Sequence, residues 1–160
     1  MTLWKLALHH EQKRKKKMLD WSLREGRIAL GWGKVGNIPQ YDSWQEIRTA
    51  IRQIDDYRTG LHPSNWIAGG HSLWSFYNEM KKGDLVILVG ANSRRELVVE
   101  VADESIEWKS KRESATFDDY QHQRNAQIRN DLNADTLWSE AGSSTAQGYS
   151  VHWALSKCAI

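Results

Sequence analysis

A single cysteine, Cys158, cannot form a disulfide within the chain. None is needed for stability, because a chain of 160 residues buries roughly 70% of the surface its unfolded form exposes. That length predicts one domain over residues 1–160, and the lone thiol suits a reducing compartment. No apolar run approaches the ~20 residues of a membrane span, so no membrane partner is expected. The opening stretch, Met1 to Lys17, places a short apolar run ahead of its charges, the reverse of a secretory signal. The expected location is cytoplasmic. A large charge of one sign is missing too: 22 basic against 20 acidic residues leave +2, which excludes coating of DNA by bulk charge.

Phenylalanine is scarce at two, whereas tryptophan reaches nine. A core is filled more simply with Leu, Ile and Phe, so most of these indoles are expected in or beside the core, with two or three left to line a pocket. Positive charge is concentrated locally. Lys13, Arg14, Lys15, Lys16 and Lys17 are consecutive, and Arg94 and Arg95 form a second pair. Converging on one face, they would suit a phosphate backbone; by default such a run is only a solvated loop.

The apolar pattern predicts a strand over residues 3–8, then the basic stretch as an exposed loop, a short helix from Met18 to Arg24 ending near Gly26, and a strand from Arg27 to Trp32. Gly31, Gly33 and Gly36 follow in a loop whose backbone is able to approach a ligand closely. Ser43 and Glu46 have capping-box spacing ahead of Trp44, Ile47, Ile51 and Ile54, which recur at helical intervals. A second helix is expected between Ser64 and Lys82, stopped by Gly83. Strands are expected over Asp84–Val89 and Glu96–Val101, with Ile106–Lys109 as a further strand or an extension. Tyr120 to Leu132 suits a helix or a strand, and alternation of Tyr149, Val151, Trp153 and Leu155 predicts a closing strand. The sum is a mixed α+β domain with a twisted, barrel-like sheet and helices packed on it.

The run Ile28-Ala-Leu-Gly-Trp-Gly-Lys-Val-Gly-Asn-Ile38, the element Phe76-x-x-Glu-Met-Lys-x-Gly-Asp-Leu-Val86, and the stretch Tyr120-x-His-x-Arg124 together resemble the EVE-type domains of the PUA-like superfamily, relatives of the YTH readers. The likeness is greatest to the versions fused to nucleases in modification-dependent restriction enzymes, and covers about residues 3–125. It implies a PUA-like twisted β-barrel with flanking helices that holds one base, flipped or single-stranded, in an aromatic cage. In the restriction versions that base is usually a modified cytosine or adenine of DNA. By position, Trp32 resembles the first wall of the cage, beside Gly33; Trp108 is a candidate for the second and Trp66 for a third. Asn37, Asn65, Ser72 and His10 are candidates for a polar rim that reads the base edge. Lys13 to Lys17, Arg94, Arg95 and Lys109 would hold phosphates, positioning the strand without specifying it. The resemblance implies no cofactor and no catalytic machinery: the domain would sense DNA for a defence system, working with a nuclease effector on another chain or in a fusion.

Two other functions compete. One is an RNA-binding member of the same superfamily. The other is a small metal-dependent nuclease, since Glu107 and Lys109 have E-x-K spacing with Asp84 and Asp103 as upstream carboxylates. His9, His10 and Glu11 are adjacent, and neighbours on a strand point to opposite faces; His62, His71, His122 and His152 show no ligand spacing, so no metal is expected. Cys158 is expected to be inert. Gly31-Trp32-Gly33 lacks the third glycine and the helix of a dinucleotide fingerprint.

Overall fold

A computed structural model describes residues 1–59, 63–114 and 119–159. Its strands are β1 (Leu3–Ala7), β2 (Arg27–Leu30), β3 (Leu85–Val89), β4 (Arg95–Trp108), β5 (His122–Ile128) and β6 (Leu155–Lys157). The helices are α1 (Lys15–Glu25), α2 (Trp44–Gln53), α3 (Asp55–Arg58), α4 (Pro63–Trp74) and α5 (Ala134–Glu140). One mixed sheet runs in the order β2-β5-β4-β3-β1-β6. Only β1 and β3 are parallel; the other neighbours are antiparallel. The α+β class is therefore as expected. Between the outer strands β2 and β6 no ladder forms among the described residues, so the sheet is open where closure into a barrel was expected. No helix among the described residues is long and apolar enough to cross a membrane.

The basic run is not a loop. Gln12–Arg14 form a 3-10 turn and Lys15, Lys16 and Lys17 open α1. The buried side of that helix, Met18, Trp21 and Ser22, holds it on the protein, and Gly26 ends it in a left-handed turn at φ 65°. In α2 the side chain of Ser43 accepts the Glu46 amide, while Glu46 reaches back to the amide of Asp42 at 2.6 Å. The cap is real but shifted by one residue from the reciprocal box. The helix expected to reach Lys82 ends sooner. After Trp74 it widens into a π turn over Ser75–Glu79, and Met80 is already extended.

Arg124, fully buried, explains how that wider turn is tolerated. Its guanidinium donates to the carbonyls of Phe76 and Met80, both at 2.9 Å, and to that of Asp103 at 3.2 Å. Carbonyls freed by the π turn thus regain donors. Asp84 does similar work at the start of β3, accepting from the Thr2 amide, the Trp4 indole and the Lys81 amide at 2.9–3.0 Å.

The closing segment departs from expectation. Residues 151–154 form turns and bends, and only Leu155–Lys157 pair with β1. Trp153 is folded over to stack on His71, whose other face lies on Trp44, with ring centroids 4.3 and 3.9 Å apart. The alternation that mimics a strand comes from aromatic residues recruited into this stack and its neighbour Tyr149. Helix α5 was not foreseen. Asn133 caps it by accepting the Thr136 amide at 2.9 Å, and Ala134, Trp138 and Ala141 pack it against Leu3, Ile87 and Val98.

Candidate nucleic-acid interface

Register sorts the side chains at the β2–β5–β4 end of the sheet. Residues directly opposed across a ladder share a face. Leu30, His122 and Trp108 are aligned, as are Ile28, Arg124 and Ile106; Ala29, Gln123 and Glu107 form the intervening row on the other face. One face is covered by α4 and its π turn, which Arg124 reaches. On the other lies α1, whose Lys17, Trp21 and Arg24 share a groove with Gln123 and Lys109.

Trp32 leaves the end of β2 in a left-handed conformation, φ 59° and ψ 38°, which is sparsely populated for a bulky side chain. Several contacts hold it there. The Gly33 amide donates to the Asp119 carbonyl at 2.9 Å, and the Trp32 carbonyl lies 3.3 Å from His122 Nε2. Because a carbonyl only accepts, Nε2 carries the proton and Nδ1 accepts from the Tyr77 hydroxyl at 2.7 Å. Burial holds the neutral form of His122, pushing its pKa down to about 4. The Trp32 ring is half-buried and packs against Gly69 of α4, where an added methyl group would stand 2.9 Å from Cε2 of the indole and 2.6 Å from Ile51.

Trp108 joins the same turn from β4. It is 44% exposed, and its indole N–H donates to the Gly33 carbonyl at 2.8 Å. Gly33 has no room for a side chain: a Cβ there would lie 2.3 Å from Gln121 Oε1 and 2.5 Å from the Asp119 carbonyl. Tyr57 closes the turn from the α3 side, donating to Asp119 Oδ2 and accepting from the Lys34 amide. Desolvation, followed by the Asp119 charge, raises the Tyr57 pKa, so the phenol stays protonated.

Trp32, Gly33 and Trp108 are therefore brought together; Trp66 stands on α4 one turn before Gly69, the residue that meets the Trp32 ring. The Arg52 guanidinium lies 4.9 Å from the Trp66 ring centroid. Asn37 and Asn65 are exposed. Ser72 is not on a rim: it is fully buried and its Oγ accepts the Leu155 amide at 3.2 Å, a core role between α4 and β6. His10 belongs elsewhere as well, with its amide on the Tyr120 hydroxyl and its ring parallel to that of Tyr120.

The expected phosphate ligands do not gather at the indoles. Lys17 and Lys109 line the α1 groove on the opposite face. Arg14 pairs with Glu11 and Lys16 with Asp20, while Lys13 is exposed and Lys15 partly so. Arg94 and Arg95 line a separate hollow near α5, with Arg95 on Asp135 at 2.6 Å. Beside the indoles stand Lys34, which follows Gly33 in the turn and pairs with Asp56, and Arg52, which lies over the Trp66 ring. Sequence spacing gives no sign of Arg52, Tyr57 or Asp119, because α2, α3 and the segment ahead of β5 meet only in three dimensions.

The E-x-K pair is occupied with itself. Lys109 bonds Glu107 and lies 3.9 Å from Glu113, and the Lys109 hydrogen bond is the main cause that holds the Glu107 carboxyl below its usual range. Asp84 is spent on Thr2, Trp4 and Lys81. Among the described residues no three His, Cys, Asp or Glu side chains cluster as metal ligands; His62 lies outside the described residues. Cys158 is buried, which raises its thiol pKa to about 11.

A family described as a domain of unknown function (DUF8426) matches residues 4–142. The chain belongs to that family. DUF8426 thus spans β1 through α5, including Trp32, Gly33, Trp66 and Trp108, while Tyr149, Trp153 and β6 lie beyond the matched residues. No curated protein matches the chain, and no solved structure does.

Proposed function

We propose that this chain binds nucleic acid by capturing one base of a DNA strand, a modified base in its proper target, against the indoles of Trp32 and Trp108. In this reading the open sheet is a variant of the PUA-like architecture that the sequence resembles. The observation that carries it is the hydrogen bond from the Trp108 indole to the Gly33 carbonyl. It anchors an exposed aromatic ring beside a left-handed tryptophan in a turn fixed by His122, Tyr57 and Asp119. Strained backbone held by surrounding contacts is the kind of feature that clusters at binding sites.

The energetics are adequate. Extruding a base costs a few kcal/mol, and each aromatic face returns ~1–3 kcal/mol on stacking. Two walls with a few polar contacts leave a net gain. Lys34 and Arg52 supply positive charge on this face. The domain has no chemistry of its own in this reading and reports to a nuclease effector.

A panel of single-stranded and duplex oligonucleotides carrying different modified cytosines and adenines, with RNA strands of matching sequence, tests the proposal. One modified DNA should bind best, and Trp32→Ala should weaken it more than tenfold while the fold survives. Equal affinity of the variant removes Trp32 from the site, and preference for RNA moves the function to RNA binding.

A further inference from the structure

Lys5 is a buried charge that the indole pair leaves unexplained. It lies in the middle of β1, opposite Ile87 of β3 and Ser156 of β6, and is only 7% exposed. The same face of the sheet carries Leu3, Ile87 and Val98, packed with Cys158 and α5. An ammonium is costly in such a place unless it is paired. No pairing compensates. Among the described residues no hydrogen bond reaches the Lys5 ammonium and no carboxylate acts on it; the ionisable groups that do are the Cys158 thiol and the Lys15 ammonium. Cys158 is held as a neutral thiol by its own burial. Lys15, the first residue of α1, is itself partly desolvated and has no ion pair among the described residues.

Desolvation and a neighbouring cation are the conditions that make a lysine amine nucleophilic near neutral pH. Burial, opposed by Cys158 and reinforced by Lys15, brings the Lys5 pKa down to about 8. About a tenth of Lys5 is then free amine at pH 7, against fewer than about one in a thousand for an ordinary lysine. The setting also selects the electrophile. So little of Lys5 meets solvent that a small, uncharged molecule reaches it best. An acyl group would cancel the Lys5 charge and leave Lys15 without a counter-ion. Carbon dioxide does more, because its adduct is an anion. The Lys5 nitrogen attacks the carbon, an N–C bond forms as one C=O π pair moves onto oxygen, and the nitrogen releases a proton to water. Amine and carbon dioxide thus give a carbamate and a proton, with no oxidant or reductant. Two repelling cations become an ion pair that joins the start of α1 to β1.

We propose that Lys5 is a carbamylation site: it takes up carbon dioxide, and the Lys15 ammonium holds the carbamate that forms. The test equilibrates the protein with isotope-labelled bicarbonate and carbon dioxide, traps carbamate oxygens with a trialkyloxonium salt, and maps the label by peptide mass spectrometry. The label should sit on Lys5 in preference to the exposed Lys16 and Lys82. It should vanish in Lys5→Met, vanish when carbon dioxide is removed before trapping, and fall several-fold in Lys15→Gln. Should Lys5→Met fail to fold, the partly exposed change Lys15→Gln and the site map of the wild type still decide the matter. No label on Lys5, label shared equally with Lys16 and Lys82, label that survives removal of carbon dioxide, or a Lys5 signal unchanged in Lys15→Gln overturns the proposal. Trp32→Ala should be labelled as the wild type is, so failure of base capture and failure of this site are separately visible.

Discussion

At the scale of single residues, Gly33 and Trp108 are the most sharply constrained. A methyl group at Gly33 meets Gln121 Oε1 at 2.3 Å and, less forgivingly, the Asp119 carbonyl at 2.5 Å. Gly33→Ala should therefore cost about 1–3 kcal/mol in urea unfolding and displace the Trp32 turn; a loss under a few tenths would mean the turn shifts freely. Trp108 is tested by two substitutions. Trp108→Phe keeps an aromatic face and loses the N–H on the Gly33 carbonyl, so it should cost about 1 kcal/mol of stability and reduce binding partly. Trp108→Ala removes the face too and should abolish base preference while the exposed position leaves the fold intact. Equal binding by Trp108→Phe and Trp108→Ala would show that the ring face contributes nothing.

At the scale of elements, β5 is the organiser. Tyr120 just ahead of it and His122 and Arg124 within it each tie down a different part: Tyr120 packs under Gly31 and bonds His10, His122 holds the Trp32 carbonyl, and Arg124 satisfies the π turn. His122 makes this organisation sensitive to acid. Its folded pKa, near 4, lies below the ordinary 6.5, so the unfolded chain takes up the proton first. Its contribution is complete above pH 6.5 and is lost as pH falls toward 4, on the order of 3 kcal/mol in all. The urea midpoint of the wild type should fall across that interval, and His122→Gln should flatten that part of the profile; an identical slope in both would assign the acid response to other groups. The capped start of α2, the stop at Gly26 and the strands β1 to β4 were legible in the sequence because each has a local signal. Helix α5 also had one in Asn133, but it was obscured by the polar composition around it. The π turn was not legible, since its cause, Arg124, lies 44 residues from Met80. Nor was the stack of Trp153 on His71, because alternation cannot distinguish a strand from aromatics gathered by tertiary contact.

At the scale of the whole molecule, the Trp32–Trp108 pair and the α1 groove lie on opposite faces of the β2–β5–β4 ladder. Trp32 and Trp108 were legible as residues, through the Gly-Trp-Gly turn and the sequence likeness, but their partners were not. The cations beside them were hidden for a related reason: a run of lysines catches the eye, whereas Arg52 meets the Trp66 ring only through the packing of α2 on α4. This separation predicts how salt acts. Neutralising Lys34 and Arg52 together should weaken base capture for all sequences and lower the salt slope by roughly one to two. Neutralising Lys15, Lys16 and Lys17 should leave that slope in place; if it falls instead, the captured strand also crosses the α1 face. The central claim is most directly tested by the Trp108 indole N–H resonance during titration with the best-binding modified oligonucleotide. Base capture predicts a large, saturable shift of that signal at the same concentration that saturates binding, and its loss of saturation in Trp32→Ala. A Trp108 signal that stays still while the oligonucleotide binds would contradict it.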